Sequence, residues 1–227
     1  MKERLKQVMK RIEAAAESCG RSAAEIQLVA VSKTKPVAKI IEAVDAGLTV
    51  FGENYVQEAR EKFNALYTYP VSWHFIGHLQ SNKAKYAVKM FDLIHTVDSM
   101  KLALEIDKQA GKIAKLQKVL VQVNISKEAS KSGVSGEKTR GLIQEMSRCE
   151  HIAIQGLMTM PPFFNNPEKA RPFFRALRRL RDEVQSTDIP GVSMQALSMG
   201  MTGDFEVAIQ EGATLVRIGT ALFGERE

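Results

Sequence analysis

QLVAVSKTKP (residues 27–36) is a short apolar run that ends in two lysines and a proline. It has the length of a buried strand rather than a helix, and Pro36 opens the amphipathic stretch that ends near Gly47. A strand followed at once by a helix is half of a parallel β/α unit. The unit recurs along the chain, with further apolar runs at LTVFGEN (48–54), SWHFIG (72–77), LIHTVD (93–98), KVLVQVNI (118–125), IAIQGLMTM (152–160), SMQALSM (193–199) and LVRIGTALFG (215–224). Helical segments separate them: Asn166 and Pro167 open the one from Phe173 to Val184, and Gly212 closes the last. Eight strands alternating with helices predict an α/β fold of the (β/α)8 TIM-barrel type. Alternation alone also accommodates an open doubly wound sheet.

With 227 residues, 44% of them hydrophobic, the chain has the size of one barrel domain spanning residues 1–227, with no linker or internal repeat. It stops just after the eighth run, which leaves no eighth helix. An extra helix over residues 2–19, with Leu5, Val8, Met9 and Ile12 on one face, is expected to cover that seam. SKEASKSGVSGE (126–137) reads as a flexible insert. No run is long enough to span a membrane, and the first twenty residues are too charged for a secretory signal, so a cytoplasmic protein is expected. Cys19 and Cys149 stand alone, without metal-site spacing, and read as inert thiols. The net charge of +6 is weak support for nucleic-acid binding, because the densest cluster, RALRRLRDEV (175–184), interleaves its arginines with apolar residues as an amphipathic helix does. No nucleic-acid or membrane partner is expected.

In such barrels chemistry sits at the C-terminal ends of the strands. Those ends are polar here: Lys33, Asn54, His78, Asp98, Asn124 with Ser126, Thr159 and Ser198. The opposite ends carry ordinary residues such as Glu25, Gly47 and Thr214. A lysine held among apolar groups loses proton affinity and, as a neutral amine, forms a Schiff base with an aldehyde or ketone. Lys35 shares its strand parity, and a snorkelling strand-end lysine is the plain alternative. Barrel phosphates are held after strands seven and eight. There the chain offers SMGMTGDFEVAIQEG (198–212), with the Ser198 hydroxyl and Gly200 for close backbone approach, and RIGT (217–220), with Gly219 and Thr220 as donors. Arg217 lies inside an apolar strand and must have a partner: a buried carboxylate, or a ring nitrogen of a cofactor. An aldehyde, a phosphate and a pyridine together describe pyridoxal 5'-phosphate (PLP).

Over essentially its full length the chain resembles the pyridoxal phosphate homeostasis protein family. AVSKTKP (30–36), FGENYVQE (51–58), WHFIGHLQSNK (73–83), VNISKEASKSG (123–133), GLMTM (156–160), LSMGMTGDFEVAI (197–209) and VRIGTALFG (216–224) carry the resemblance. It implies a fold like the barrel domain of alanine racemase, without that enzyme's C-terminal β-domain, and a PLP aldimine on Lys33. It implies phosphate contacts at Ser198, Met199, Gly200, Met201, Gly219 and Thr220, with Arg217 near the pyridine nitrogen and Asn54 and His78 close to the cofactor. Lys131 matches a further lysine of the family pattern. The implied function is to hold and supply PLP, with PLP-dependent apoenzymes as candidate partners; a PLP enzyme with weak racemase or transaminase-like activity is the alternative. A Schiff-base aldolase or a flavin-phosphate barrel stands further off. All four tyrosines, Tyr55, Tyr67, Tyr69 and Tyr86, fall outside the strand ends, which argues against two-base racemization. Without the β-domain a monomer is expected.

Overall fold

In the computed structural model, which describes residues 1–126, 128 and 132–225, the apolar runs become the staves of a closed parallel barrel. The strands are β1 (Gln27–Val31), β2 (Val50–Glu53), β3 (Ser72–Phe75), β4 (Leu93–Val97), β5 (Gln117–Asn124), β6 (Val134–Ser135), β7 (Ile152–Met158), β8 (Val192–Met201) and β9 (Leu215–Ile218). They pair in the order β4-β3-β2-β1-β9-β8-β7-β5, and a β4–β5 pairing closes the ring. Every pairing is parallel, and β1 meets β9 with Val29 opposite Arg217. Closure excludes the open doubly wound sheet.

The helices are α1 (Lys2–Glu17), α2 (Val37–Asp45), α3 (Val56–Ala65), α4 (Ala84–Met90), α5 (Met100–Gly111), α6 (Gly136–Met146), α7 (Arg171–Gln185), α8 (Phe205–Gln210) and α9 (Thr220–Phe223). Asn166 caps a 3-10 turn that leads into α7. The last apolar run therefore divides: β9 ends at Ile218, and Gly219 starts a one-turn helix where strand was expected to Gly224. A short apolar run carries no periodicity long enough to separate the two states. Helix α1 packs against α8 and α9 through Val8, Ile12, Ala15 and Ala16. Arg11 adds an ion pair to Glu206, and Arg21 donates to the carbonyls of Ile209 and Ala213. Within the expected insert β6 pairs with β5, and the Gly133 amide donates to Asp98. Lys131 lies outside the described residues. No helix among the described residues is long and apolar enough to cross a membrane.

The barrel separates two cores. The larger lies between strands and helices; the smaller, Val29, Val50, Leu93, Leu120, Met158 and Leu215 with Ala196, fills the interior. It forms an apolar floor.

Candidate functional site

Side chains two apart on a strand share a face, so the floor dictates what stands above it. Leu93 is followed by His95, Leu120 by Gln122, Ala196 by Ser198 and Leu215 by Arg217. These four, with His74 of β3, are all buried. They form a polar layer on the apolar floor.

A hydrogen-bond chain runs through that layer. Arg217 Nη1 donates to Ser198 Oγ at 2.5 Å, Ser198 Oγ lies 2.8 Å from His95 Nδ1, and His95 Nε2 lies 3.0 Å from His74 Nδ1. Arg217 Nη2 donates to the Thr159 carbonyl at 3.0 Å, and the Thr159 hydroxyl donates to the Val123 carbonyl at 2.8 Å. The guanidinium charge orders the chain, because a cation polarises donors away from itself. Ser198 then gives its single proton to His95, and His95 gives its own to His74, so both rings are neutral. Burial agrees: it lowers His74 to about 4 and pushes His95 well below the usual histidine value. Burial also lowers Arg217 to about 10, with Asp204 working weakly against it, so the guanidinium stays charged at neutral pH. No carboxylate among the described residues lies within ion-pair distance of Arg217. The expected alternative of a buried structural ion pair is thus absent there.

Above the layer, Gln122, Asn54, Ile76, Gly77, His78, Thr96 and Met201 line a cavity of about 300 Å3 at the C-terminal mouth. Asn54 Oδ1 is buried and has no hydrogen-bond partner, an unmet acceptor in the cavity wall. A second cavity of about 390 Å3 shares Asn54 and His78 and includes Tyr55, Gln80 and Lys83. Tyr55 therefore stands nearer the mouth than its place outside the strands suggested.

Lys33 is half-buried and sits two residues beyond β1, in a turn rather than as the last strand residue. Thr34 has a φ of 63°, a left-handed conformation that costs about 1–2 kcal/mol for a residue with a Cβ. Lys62 Nζ donates to the Ser32 carbonyl, Glu53 Oε1 and Glu58 Oε1 at 2.7, 2.7 and 2.6 Å, so all three of its protons are committed. Lys35 Nζ donates to the Glu225 carbonyl.

The other predicted residues divide between mouth and core. Met199 is fully buried in the outer core, so only its backbone remains to meet a ligand. Gly200 has a φ of 91°, and a Cβ there would lie 2.6 Å from the Ala208 Cβ. Its smallness serves packing against α8. The register shift between Ser198 and Met201 accompanies this and turns Met201 into the mouth cavity. Gly219 and the exposed Thr220 start α9, whose first amides have no helical carbonyl to receive them. His78 is exposed at the rim. His74, His95, Gln122 and the Lys62 cluster escaped the sequence reading, although a histidine inside an apolar strand carries the same signal that singled out Arg217.

The sequence pattern of the alanine racemase N-terminal domain matches residues 4–227. A pyridoxal phosphate homeostasis protein of Aquifex aeolicus is 48% identical, over 99% of this chain and 98% of its own. The structure of PipY from Synechococcus elongatus PCC7942 with PLP bound is 38% identical, with a TM-score of 0.84 over 94% of this chain and 100% of that one. An alanine racemase of Clostridium difficile 630 shares the fold at 15% identity, with a TM-score of 0.74 over 99% of this chain and 57% of that chain.

The neutral histidines give the fold a pH signature. With a folded pKa near 4 against 6.5 unfolded, His74 takes up its proton first in the unfolded chain as pH falls. Its contribution to stability is complete above the unfolded value and declines below it, by about 2 kcal/mol between pH 7 and pH 5. His74→Asn keeps an acceptor near the Nδ1 position and should show a correspondingly smaller loss in denaturant titrations at the two pH values. Equal losses would contradict a neutral His74.

Proposed function

The chain belongs to the alanine racemase N-terminal domain family and, within it, to the pyridoxal phosphate homeostasis proteins, and on that premise we propose that it holds PLP at the barrel mouth through Lys33 and supplies it to apoenzymes. The observation that carries this reading is Arg217: a charged guanidinium, 3% exposed, with no carboxylate partner among the described residues, in the layer beneath a cavity whose wall presents an unpartnered Asn54 oxygen. A buried cation with unused N–H groups calls for an acceptor, and a pyridine nitrogen is one. These residues fit the cofactor. When bound, PLP supplies an aldehyde that captures amines and a ring that withdraws electrons.

The residues have distinct parts in this reading. Lys33 provides the amine, and Lys62 cannot compete because its ammonium is held on three sides. Arg217 orients the ring and keeps its own proton, which leaves the ring a weaker electron sink than a carboxylic acid partner would. Ser198 is spent on fixing Arg217 and His95, so the anion falls to the first amides of α9, to the Gly200–Met201 backbone and to the Thr220 hydroxyl. Asn54 and His78 line the mouth cavity together with Met201.

Sustained amino-acid turnover is not part of the proposal, since no second acid/base group beyond Lys33 is built into the polar layer, whose histidines are neutral and linked to each other. Tyr55, in the adjoining cavity, is the residue that a catalytic alternative would need. A cytoplasmic monomer completes the reading. Free Cys19 and Cys149 suit a reducing compartment.

Three outcomes test this function. Incubation with PLP should give a visible band, and borohydride followed by peptide mapping should place a pyridoxyl group on Lys33. Lys33→Ala abolishes both and Lys35→Ala keeps them; a label on Lys35 or Lys62 would refute the assignment. Thr220→Val should weaken PLP more than pyridoxal, by about tenfold, the worth of one charge-assisted hydrogen bond. Ser198→Ala should weaken the two alike, and a selective loss there would return the phosphate to Ser198. Loaded protein should restore an apoenzyme's activity yet exchange no α-proton of added amino acids over many turnovers by NMR. Rapid exchange lost in Lys33→Ala would make the protein an enzyme.

A further inference from the structure

A buried ionic cluster lies directly behind the Lys33 turn. Ser32 and Glu53 are fully buried and Lys62 is 4% exposed, a placement that two full charges do not adopt unless closely paired. The pairing is unusually directed. Ser32 Oγ donates to Glu53 Oε1 at 2.6 Å, while Lys62 Nζ donates to that same oxygen and to the Ser32 carbonyl. Glu58 Oε1 accepts from Lys62 and, on its other side, from the backbone amide of Thr34. Lys33 is thus flanked on both sides by residues that the cluster grips: Ser32 through hydroxyl and carbonyl, Thr34 through its amide. The gripping residues all come from the next unit, Glu53 from β2 and Glu58 and Lys62 from α3. Thr34 is left-handed, and a β-branched residue stays in that region only where its surroundings overdetermine it.

We infer that Glu53, Glu58 and Lys62 form a clamp that fixes the Lys33 turn, and so act as positioning residues for the Lys33 amine. The inference rests on the reading of Lys33 as the PLP-binding amine. A cluster that served stability alone would have no reason to hold a strained turn; an unstrained residue at position 34 would fold more readily. The clamp trades local ease for a fixed lysine backbone. It also ties the turn to the mouth cavity, because Asn54 follows Glu53 directly.

The test uses the full chain with Glu58→Ala, Glu58→Gln and Thr34→Gly, read by PLP affinity, by borohydride labelling of Lys33, by thermal midpoint and by hydrogen exchange at residue 34. Glu58→Ala should weaken PLP about tenfold and speed exchange of the Thr34 amide, which loses its acceptor. Glu58→Gln keeps an oxygen for that amide and should recover affinity to within about threefold of the unaltered protein. Thr34→Gly should raise the thermal midpoint by about 2–4 °C as strain is relieved, yet label Lys33 more slowly. Opposite movement of stability and labelling is what a purely structural cluster would not produce. Labelling and affinity unchanged in both Glu58→Ala and Thr34→Gly would overturn the clamp. Absence of Lys33 label in the unaltered protein would instead overturn the reading on which it rests.

Discussion

A guanidinium buried in the middle of a parallel barrel is the constraint around which the interior is arranged. Desolvating Arg217 is expensive, and the fold meets the expense without a carboxylate among the described residues. It uses neutral groups instead: a serine oxygen, a backbone carbonyl from the neighbouring strand, and two histidines kept uncharged by burial. Each depends on the others. A charged His95 would face Arg217 across one hydroxyl, and a rotated Ser198 would leave His95 and Arg217 without their link. The apolar floor keeps water out from below, which strengthens these contacts and makes any unpaired group there costly.

The floor and the mouth differ in kind. Below, Arg217, Ser198, His95 and His74 are joined in one hydrogen-bond chain. Above, Asn54 Oδ1 has no hydrogen-bond partner, the first amides of α9 open outward, and Met201 and His78 border a cavity rather than a core. A hydrogen-bonded network beneath a less satisfied one is what a ligand site on a rigid scaffold requires: lower residues fix rotamers and tautomers, and upper ones would keep their valences for the ligand proposed above. The Lys33 turn belongs to both. Its backbone is held from the hydrogen-bonded side by Glu58 and Lys62, and Glu53 of the same cluster is followed directly by Asn54 of the mouth.

Much of this was legible in the sequence wherever one residue broke a local pattern. Eight apolar runs with helix signals between them gave the barrel, and Arg217 declared itself as a charge in an apolar strand. Closure was legible only through the count of eight and the helix over residues 2–19, because the β4–β5 pairing itself joins residues that no local period relates. The end of β9 was misjudged for a similar reason, since GTALF is equally apolar as helix or strand. A further demand on Gly200 was not legible: its φ of 91° and its contact with Ala208 follow from a register shift in β8 that only the neighbouring strand reveals. Lys62 was invisible, as one lysine on an ordinary helix, until folding brought it against a carbonyl 30 positions away. Sequence patterns report which face a residue takes; they do not report which polar atoms meet across a barrel.

The scaffold commits most of the proton-transfer groups near the polar layer to partners of its own. Arg217 is charged but keeps its proton, since even at a pKa of about 10 it is no acid at neutral pH. His74 and His95, of the residue type most often used to move protons near pH 7, are moved far from that range by burial and joined to each other. The remaining lysine near the turn, Lys62, is held in three hydrogen bonds. Arg217, His74, His95 and Lys62 are thereby committed within the scaffold, whereas His78 and Tyr55 stand at the rim cavities. For the carrier proposed above, such an arrangement would be an advantage: fixed contacts below would orient a ring, and few proton-transfer groups would compete with the making and breaking of one carbon–nitrogen bond.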